Sequence, residues 1–276
     1  MKKKILVIGK NSLLAKNFIK IADDFFKNRV ISCSHKSIPK EFSDFDYVIN
    51  FSFNPRLYKF KYENRYDQDL KIANSILKSK KTKLIIISSR QIYGRHEKLN
   101  IFREKDLNLN NKISAYGLNK IKCENNVKKL LFEEDRLIIS RSANIFGPKV
   151  GGKNFTGIAL NSLVNSNVIR LNSNKVVVKD FLPIENHSRI LCSLIDNNVS
   201  GIFNVGSGAK ITLGDFCNAF IEGYGSGTVV DEDIIDDQFM LDISKIKKYI
   251  YFEISKNSVL TYAYNIGNNL RTKSEV

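Results

Sequence analysis

A chain of 276 residues with 43% hydrophobic and 26% charged side chains is long enough to bury one large α/β core or two coupled lobes, which excludes disorder as its main state. No apolar run approaches the roughly 18–20 residues of a membrane span, so no membrane partner is expected. The excess of 44 Lys+Arg over 28 Asp+Glu gives a net charge of +16, but the cations are scattered rather than gathered into a patch. That argues against a nucleic-acid binder and leaves a field suited to a polyanionic small ligand.

Met1-Lys2-Lys3-Lys4 followed by Ile5 to Ile8 imitates the start of a signal peptide, but Gly9-Lys10-Asn11 ends the apolar run too soon for export. A strand over 4–8, a tight turn and a helix over 13–26 open the chain, because the apolar spacing switches from continuous to helical at Gly9. Strands follow at 30–33 and 47–51, then a helix at about 62–78, a strand at 84–87, a helix at about 115–132, and strands at 137–139 and 201–205. Continuous apolar strands alternating with helices predict a Rossmann-type doubly wound α/β fold with a parallel sheet covered on both faces. Gly147-Pro148-Lys149-Val150-Gly151-Gly152 reads as a linker, beyond which the alternation weakens. The expected division is a dinucleotide-binding domain over 1–146 plus about 178–207, and a smaller C-terminal substrate lobe over 147–177 and 208–276. Cys33, Cys123, Cys192 and Cys217 have no paired spacing, so neither a metal site nor a disulfide framework is expected, and the compartment is expected to be the reducing cytoplasm.

Three short motifs carry chemistry. Gly9-Lys10-Asn11-Ser12-Leu13-Leu14-Ala15 follows G-x-x-G-x-x-G, with Ser12 and Ala15 in place of the second and third glycines. A dinucleotide needs the tight turn at Gly9, close backbone approach at Ser12 and a helix N-terminus facing its pyrophosphate. A plain strand–helix turn could carry the same residues. Gly9, Asn11, Ser12, Leu13 and Leu14 are the cofactor-binding candidates here, joined by Phe51 and Ser52 at the end of the third strand. Tyr116-Gly117-Leu118-Asn119-Lys120 puts phenol and ammonium one helical turn apart on one face. A nearby cation favours the phenolate, as a proton carrier at neutral pH requires, though both residue types are plentiful here. Ser88-Ser89-Arg90-Gln91-Ile92-Tyr93-Gly94 ends a strand at the edge where open α/β sheets place their ligands; its hydroxyls could touch a substrate oxygen or merely cap the strand.

In this order, the motifs resemble the extended short-chain dehydrogenase/reductase family, in its nucleotide-sugar branch of epimerases, dehydratases and reductases. Arg141-Ser142-Ala143-Asn144-Ile145-Phe146-Gly147-Pro148, Lys179-Asp180-Phe181-Leu182-Pro183-Ile184 and Gly201-Ile202-Phe203-Asn204-Val205-Gly206-Ser207-Gly208 are similar to further motifs of that branch. The resemblance implies that Ser89, Tyr116 and Lys120 are catalytic. Tyr116 would be the acid/base, and Lys120 would also hold the nicotinamide ribose. Ser89 fits the serine position better than Ser88. Ser89, Arg90, Tyr116, Asn144 and Asp180 are the substrate-binding candidates, with a nucleotide-sugar as partner. It further implies a homodimer that pairs the Tyr116 helix with the 62–78 helix, where Ile72, Ile76 and Leu77 are candidate interface residues or face their own sheet.

The second strand ends Ser32-Cys33-Ser34-His35-Lys36 without an acid. NAD-selective proteins place a carboxylate there, so Ser34, His35 and Lys36 favour NADPH, with NADH as the alternative. Branch members that also epimerise C3 and C5 carry a Cys and a His where Gln91 and, approximately, Phe155 stand, and neither of these relays protons. His187 reads as a structural surface residue. The expected activity is NADPH-dependent reduction of the C4 keto group of a nucleotide-linked deoxysugar, in making bacterial surface-polysaccharide sugars. An NAD-dependent 4-epimerase is the alternative. A non-catalytic NADPH sensor or scaffold would have no use for Ser89, Tyr116 and Lys120.

Overall fold

A four-residue apolar run of β-branched and aliphatic residues without alternation suits a strand buried on both faces, and the first such run, β1 (Ile5–Ile8), is wholly buried. The structure, a computed structural model, describes residues 3–133, 135–152 and 154–274; Met1 and Lys2 of the lysine-rich start lie outside these. After β1 come α1 (Leu13–Phe26), β2 (Val30–Cys33), β3 (Tyr47–Asn50), α2 (Gln68–Ile76), β4 (Lys83–Ser89), β5 (Asn100–Phe102), α3 (Ala115–Leu131) and β6 (Leu137–Ser142). The second half runs β7 (Asn144–Phe146), α4 (Phe155–Ser166), β8 (Val168–Arg170), β9 (Val178–Lys179), β10 (Phe181–Pro183), α5 (Ile184–Asp196) and β11 (Gly201–Val205). It closes with β12 (Ile211–Thr212), α6 (Leu213–Tyr224), β13 (Thr228–Val230), β14 (Phe239–Leu241) and α7 (Lys256–Ser274).

Six strands form one parallel sheet in the order β2-β1-β3-β4-β6-β11. Successive side chains of each strand go to opposite faces, so each face has its own core. Ile5, Val7, Ile49, Ile85 and Ile138 pack with Phe18 of α1 and Leu191 of α5. Leu6, Ile8, Val48, Leu84 and Ile139 pack with Ile72 and Ile76 of α2 and Val127 and Leu131 of α3. The chain steps from β1 out to β2 and then back across to β3, so the topological switch lies between β1 and β3, where a crevice opens at the carboxyl ends of the strands. Only β1 neighbours β2, which is the sheet's edge and leaves Ile31 46% exposed.

Among the described residues, four two-stranded ladders lie outside the main sheet: β10 with β7, β12 with β9, β13 with β8, and β14 with β5. The last joins a segment of the expected first lobe to the expected second. Helices α6 and α7 cross closely, since a Cβ on Gly223 would lie 2.0 Å from the Tyr264 carbonyl oxygen. Phe216 of α6 stacks on Phe181 and meets Phe146 and its own helix neighbour Phe220 edge-on.

Two expectations change, and one open alternative is decided. The helix expected from residue 62 starts at Gln68, because Asp67 caps it by accepting the Leu70 N–H at 3.0 Å, and short 3₁₀ turns precede it. Ile72 and Ile76, considered for a dimer interface, are buried against their own sheet, while Leu77 is 40% exposed. His187 is a core residue rather than a surface one. It is fully buried in α5, its Nε2 hydrogen-bonds the Ser142 hydroxyl at 3.2 Å, and burial holds its pKa down at about 3, so the ring is neutral.

Candidate active site

Gly9 occupies a conformation with φ +87°, and a Cβ there would lie 2.9 Å from the Ser52 amide nitrogen. Both facts require glycine: the turn after β1 lies directly on the backbone at the end of β3. Ser12 caps α1, its N–H donating to the Gly9 carbonyl at 3.0 Å and its Oγ accepting from the Ala15 N–H at 3.1 Å. The crevice at this switch has a volume of about 560 Å³, and Gly9, Asn11, Ser12, Ser34, His35, Phe51 and Ser52 all line it. Leu13, Leu14 and Lys36 do not. Leu13 and Leu14 sit in the first turn of α1, where their N–H groups lack helical acceptors, so an anion would meet their backbone rather than their side chains. Lys36 is exposed and turned into the 34–37 loop, where its N–H donates to Ser34 Oγ at 3.2 Å.

Residues that the motifs did not single out complete the wall: Phe53, Asn54, Pro55, Tyr58 and Gln68. Their signal was positional, since Phe53 to Pro55 directly follow the strand that borders the switch. Beneath them runs a polar chain. Asn50 accepts from the Ser52 N–H at 2.9 Å and hydroxyl at 2.5 Å, and donates to Asp69 Oδ1 at 2.6 Å. Burial pushes the Asp69 carboxyl up to about 6, while the Lys120 charge and the Asn50 bond pull the other way.

Lys120 lies buried on α3, its ammonium donating to the Ile87 carbonyl at 2.7 Å and standing 4.0 Å over the Phe53 ring. Burial presses this group toward its neutral form, but the charges of Tyr116 and Asp69 outweigh it and hold its pKa above the ordinary lysine value. One turn earlier, the Tyr116 ring stacks on Tyr58 with centroids 4.9 Å apart and meets Phe53 edge-on at 5.4 Å. Gly117 lets this end of α3 come down on the turn after β4, since a Cβ there would lie 2.5 Å from the Gln91 carbonyl oxygen. Ser114 caps the helix and donates to Gln91 Oε1 at 3.0 Å. Ser89 starts that turn, its Oγ accepting from the Gln91 N–H at 3.2 Å, which leaves the hydroxyl hydrogen for another acceptor. Ser88 points to the other face of the strand and donates to Glu124 Oε1 at 2.5 Å. The structure thus separates the two serines as the motif did.

Glu124 also receives the Arg141 guanidinium, with Nη2 at 2.7 Å from Oε2 and both partners almost completely buried. This pair links α3 to β6, and no short motif announced it.

Two substrate candidates are engaged by other parts of the chain. Asp180 is fully buried and accepts from the Ser207 N–H at 2.9 Å and hydroxyl at 2.8 Å and from the Gly208 and Leu241 N–H groups at 3.2 and 3.3 Å, which occupies its carboxylate. Arg90 is turned inward, forming a bidentate pair with Asp237 and lying 4.0 Å over the Phe239 ring. Asn144 is half-buried on β7, its N–H donating to the Asp180 carbonyl at 3.1 Å. A second cleft of about 520 Å³ is walled by α6 and α7 alone and holds none of these residues.

A family model described as the NAD dependent epimerase/dehydratase family matches residues 12–206. Among solved structures, dTDP-glucose 4,6-dehydratase from Bacillus anthracis in complex with NAD superposes with a TM-score of 0.78 at 15% identity, over 96% of each chain. UDP-N-acetylglucosamine 4-epimerase from Bacillus cereus gives 0.76 at 16% identity, over 98% of this chain and 99% of that one. UDP-glucuronic acid 4-epimerase from Bacillus cereus in complex with UDP-glucuronic acid and NAD gives 0.74 at 18%, over 96% and 99%. At such identities the likeness is one of fold, and it extends over the whole length.

Proposed function

Because the chain belongs to the NAD dependent epimerase/dehydratase family, we propose that it reduces the C4 keto group of a nucleotide-linked deoxysugar with NADPH. One observation carries the choice of cofactor: the crevice wall at the end of β2 consists of Ser34 and His35, with no carboxylate to bind a ribose 2′-hydroxyl or repel a 2′-phosphate. The dinucleotide fits the residues present, since the bare Gly9 backbone, the capped start of α1 and the Ser34 hydroxyl all face one crevice. Gly9, Ser12, Ser34, His35 and Lys120 would hold it.

When bound, the nicotinamide supplies hydride exchange with the sugar carbon. The chain's own groups manage the oxygen on that carbon. Tyr116 gives its phenolic proton to the C4 oxygen, and Ser89 donates its free hydroxyl hydrogen to the same atom. Lys120 keeps its ammonium beside the phenol, anchored on Ile87. Tyr58, stacked, and Phe53, edge-on, hold the plane of the Tyr116 ring. Four free cysteines, three of them buried, support a reducing compartment such as the cytoplasm.

A second reading, an NAD-dependent 4-epimerase, is favoured by the likeness to 4-epimerases, one of them bound to NAD. Purified protein incubated with NADPH or NADH and a panel of nucleotide-4-keto-6-deoxysugars and nucleotide-hexoses separates the two. Stoichiometric NADPH oxidation supports reduction. Interconversion of nucleotide-hexoses without net cofactor oxidation would overturn it in favour of the epimerase.

A further inference from the structure

Residues 231–237, Asp-Glu-Asp-Ile-Ile-Asp-Asp, carry five acids in seven positions of a chain whose net charge is +16. They form a strap from β13 to β14, with Ile234 and Ile235 about half exposed at its middle. At its end Asp237, held at φ +59°, inserts its carboxylate between two cations. Both terminal nitrogens of Arg90 bind it, and Lys179 Nζ donates to its Oδ2 at 2.9 Å and to its carbonyl at 2.6 Å. Arg90 directly follows the catalytic-candidate Ser89 in the turn after β4 and borders a small cavity with Gln91, Gly94, Arg95 and Ser114.

We propose that the Asp237 carboxylate is a resident stand-in for a phosphate group, occupying the Arg90–Lys179 pair until an anionic substrate displaces it. The proposal deepens the nucleotide-sugar reading above and rests on it for the identity of the natural anion. A planar guanidinium fork accepts carboxylate and phosphate in the same geometry, so one can replace the other. The cations also offer more than one carboxylate uses. Arg90 Nε is buried without a hydrogen-bond partner, so a phosphate that engaged the fork side-on, through Nε and one Nη, would satisfy a donor that the end-on carboxylate leaves unmet. Phe239 beneath the guanidinium keeps the fork in place whichever anion it holds. The exchange is local: Asp236, the next acid, pairs separately with Arg95 at 3.2 Å. In this arrangement the chain carries its own competitor for the substrate, and ligands without a strong anion cannot open the strap.

Inorganic pyrophosphate and UDP are the probes, titrated by calorimetry into wild type, Asp237→Asn and the control Asp236→Asn. Asp237→Asn should bind pyrophosphate at least tenfold more tightly than wild type, and Asp236→Asn should stay within threefold. In wild type, pyrophosphate should accelerate amide hydrogen exchange across residues 231–238 as the strap is released. Unchanged or weaker binding by Asp237→Asn would refute the proposal and leave a purely structural ion pair. Should that variant not fold, exchange in wild type decides, and unchanged or slower exchange refutes it. Pyrophosphate gaining affinity in Asp237→Asn while UDP binds neither protein would uphold the displaced carboxylate and overturn the nucleotide reading. Reduction of a nucleotide-4-keto sugar by wild type, with no gain of affinity in Asp237→Asn, would do the reverse.

Discussion

Replacing Glu124 by Gln removes one charge from a pair that is 1–2% exposed and changes almost no volume. The loss is nevertheless large. Arg141 cannot shed its proton, and its remaining contacts, the Glu104 carbonyl at 2.6 Å and the Tyr93 hydroxyl at 3.2 Å, are neutral. The glutamine amide would also aim a donor at either the guanidinium or the Ser88 hydroxyl, both of which now donate to the carboxylate. Breaking one side of a buried pair in this way costs about 3–5 kcal/mol. Urea unfolding of wild type and Glu124→Gln should show that loss at unchanged slope. Replacing both partners with apolar residues should recover much of it, because no orphan charge remains. The same pair seats α3 against β4 and β6, so turnover should fall with stability while the cofactor crevice stays intact. A loss below about 1 kcal/mol for Glu124→Gln would mean that water reaches Arg141, and the account of a dry, load-sharing pair would be wrong.

Tyr116→Phe should cut turnover by about 10²–10⁴-fold while sparing NADPH affinity; near-normal cofactor oxidation would remove the phenol from the mechanism. Ser34→Asp should reverse a preference for NADPH over NADH, and equal affinities in wild type, measured by fluorescence titration at moderate salt, would remove the case for NADPH. Gly9→Ala should weaken cofactor binding and cost at least about 1–2 kcal/mol of stability from its φ of +87° alone, checked by thermal unfolding and titration. Asp69 has a folded pKa above its unfolded one, so it holds a proton longer when folded; its contribution to stability should fall as pH rises from about 4 to about 6. Asp69→Asn should flatten that part of the stability profile, and an unchanged slope would show that the shift is not expressed. A homodimer through the outer faces of α2 and α3 predicts that Leu118→Glu yields monomer by light scattering, and a monomeric wild type at micromolar concentration would end that expectation.

The dinucleotide half was legible because its signals are local. The run from Ile5 to Ile8, the glycine after it, and Ser12 ahead of a helical apolar stripe each specify their own few residues, and α1 and β2 fall at the predicted bounds. Tyr116 and Lys120 were legible for the same reason, since a spacing of four on one helix is a geometric fact before folding. What was not legible were contacts that depend on a distant partner. Nothing near Asp180 shows that Ser207, Gly208 and Leu241 will converge on it, and nothing near Arg90 shows that Asp237 will. β5 and β14 are three residues each and too short for any periodicity to stand out. His187 misled because its neighbours in α5 are mixed, and only the packing of α1 against α5 and the sheet encloses it.

The pairing of Arg90 and Lys179 with Asp237 also sets a timetable for synthesis. A ribosome delivers Ser89, Tyr116 and Lys120 early, yet the acid that neutralises Arg90 emerges roughly 6–23 s after Lys120 at about 5–20 residues per second. Until then a nascent chain carries all three candidate residues beside an uncompensated guanidinium, with β5 still waiting for β14. A chain truncated before residue 237 would therefore hold every candidate catalytic residue and lack the acid that anchors Arg90.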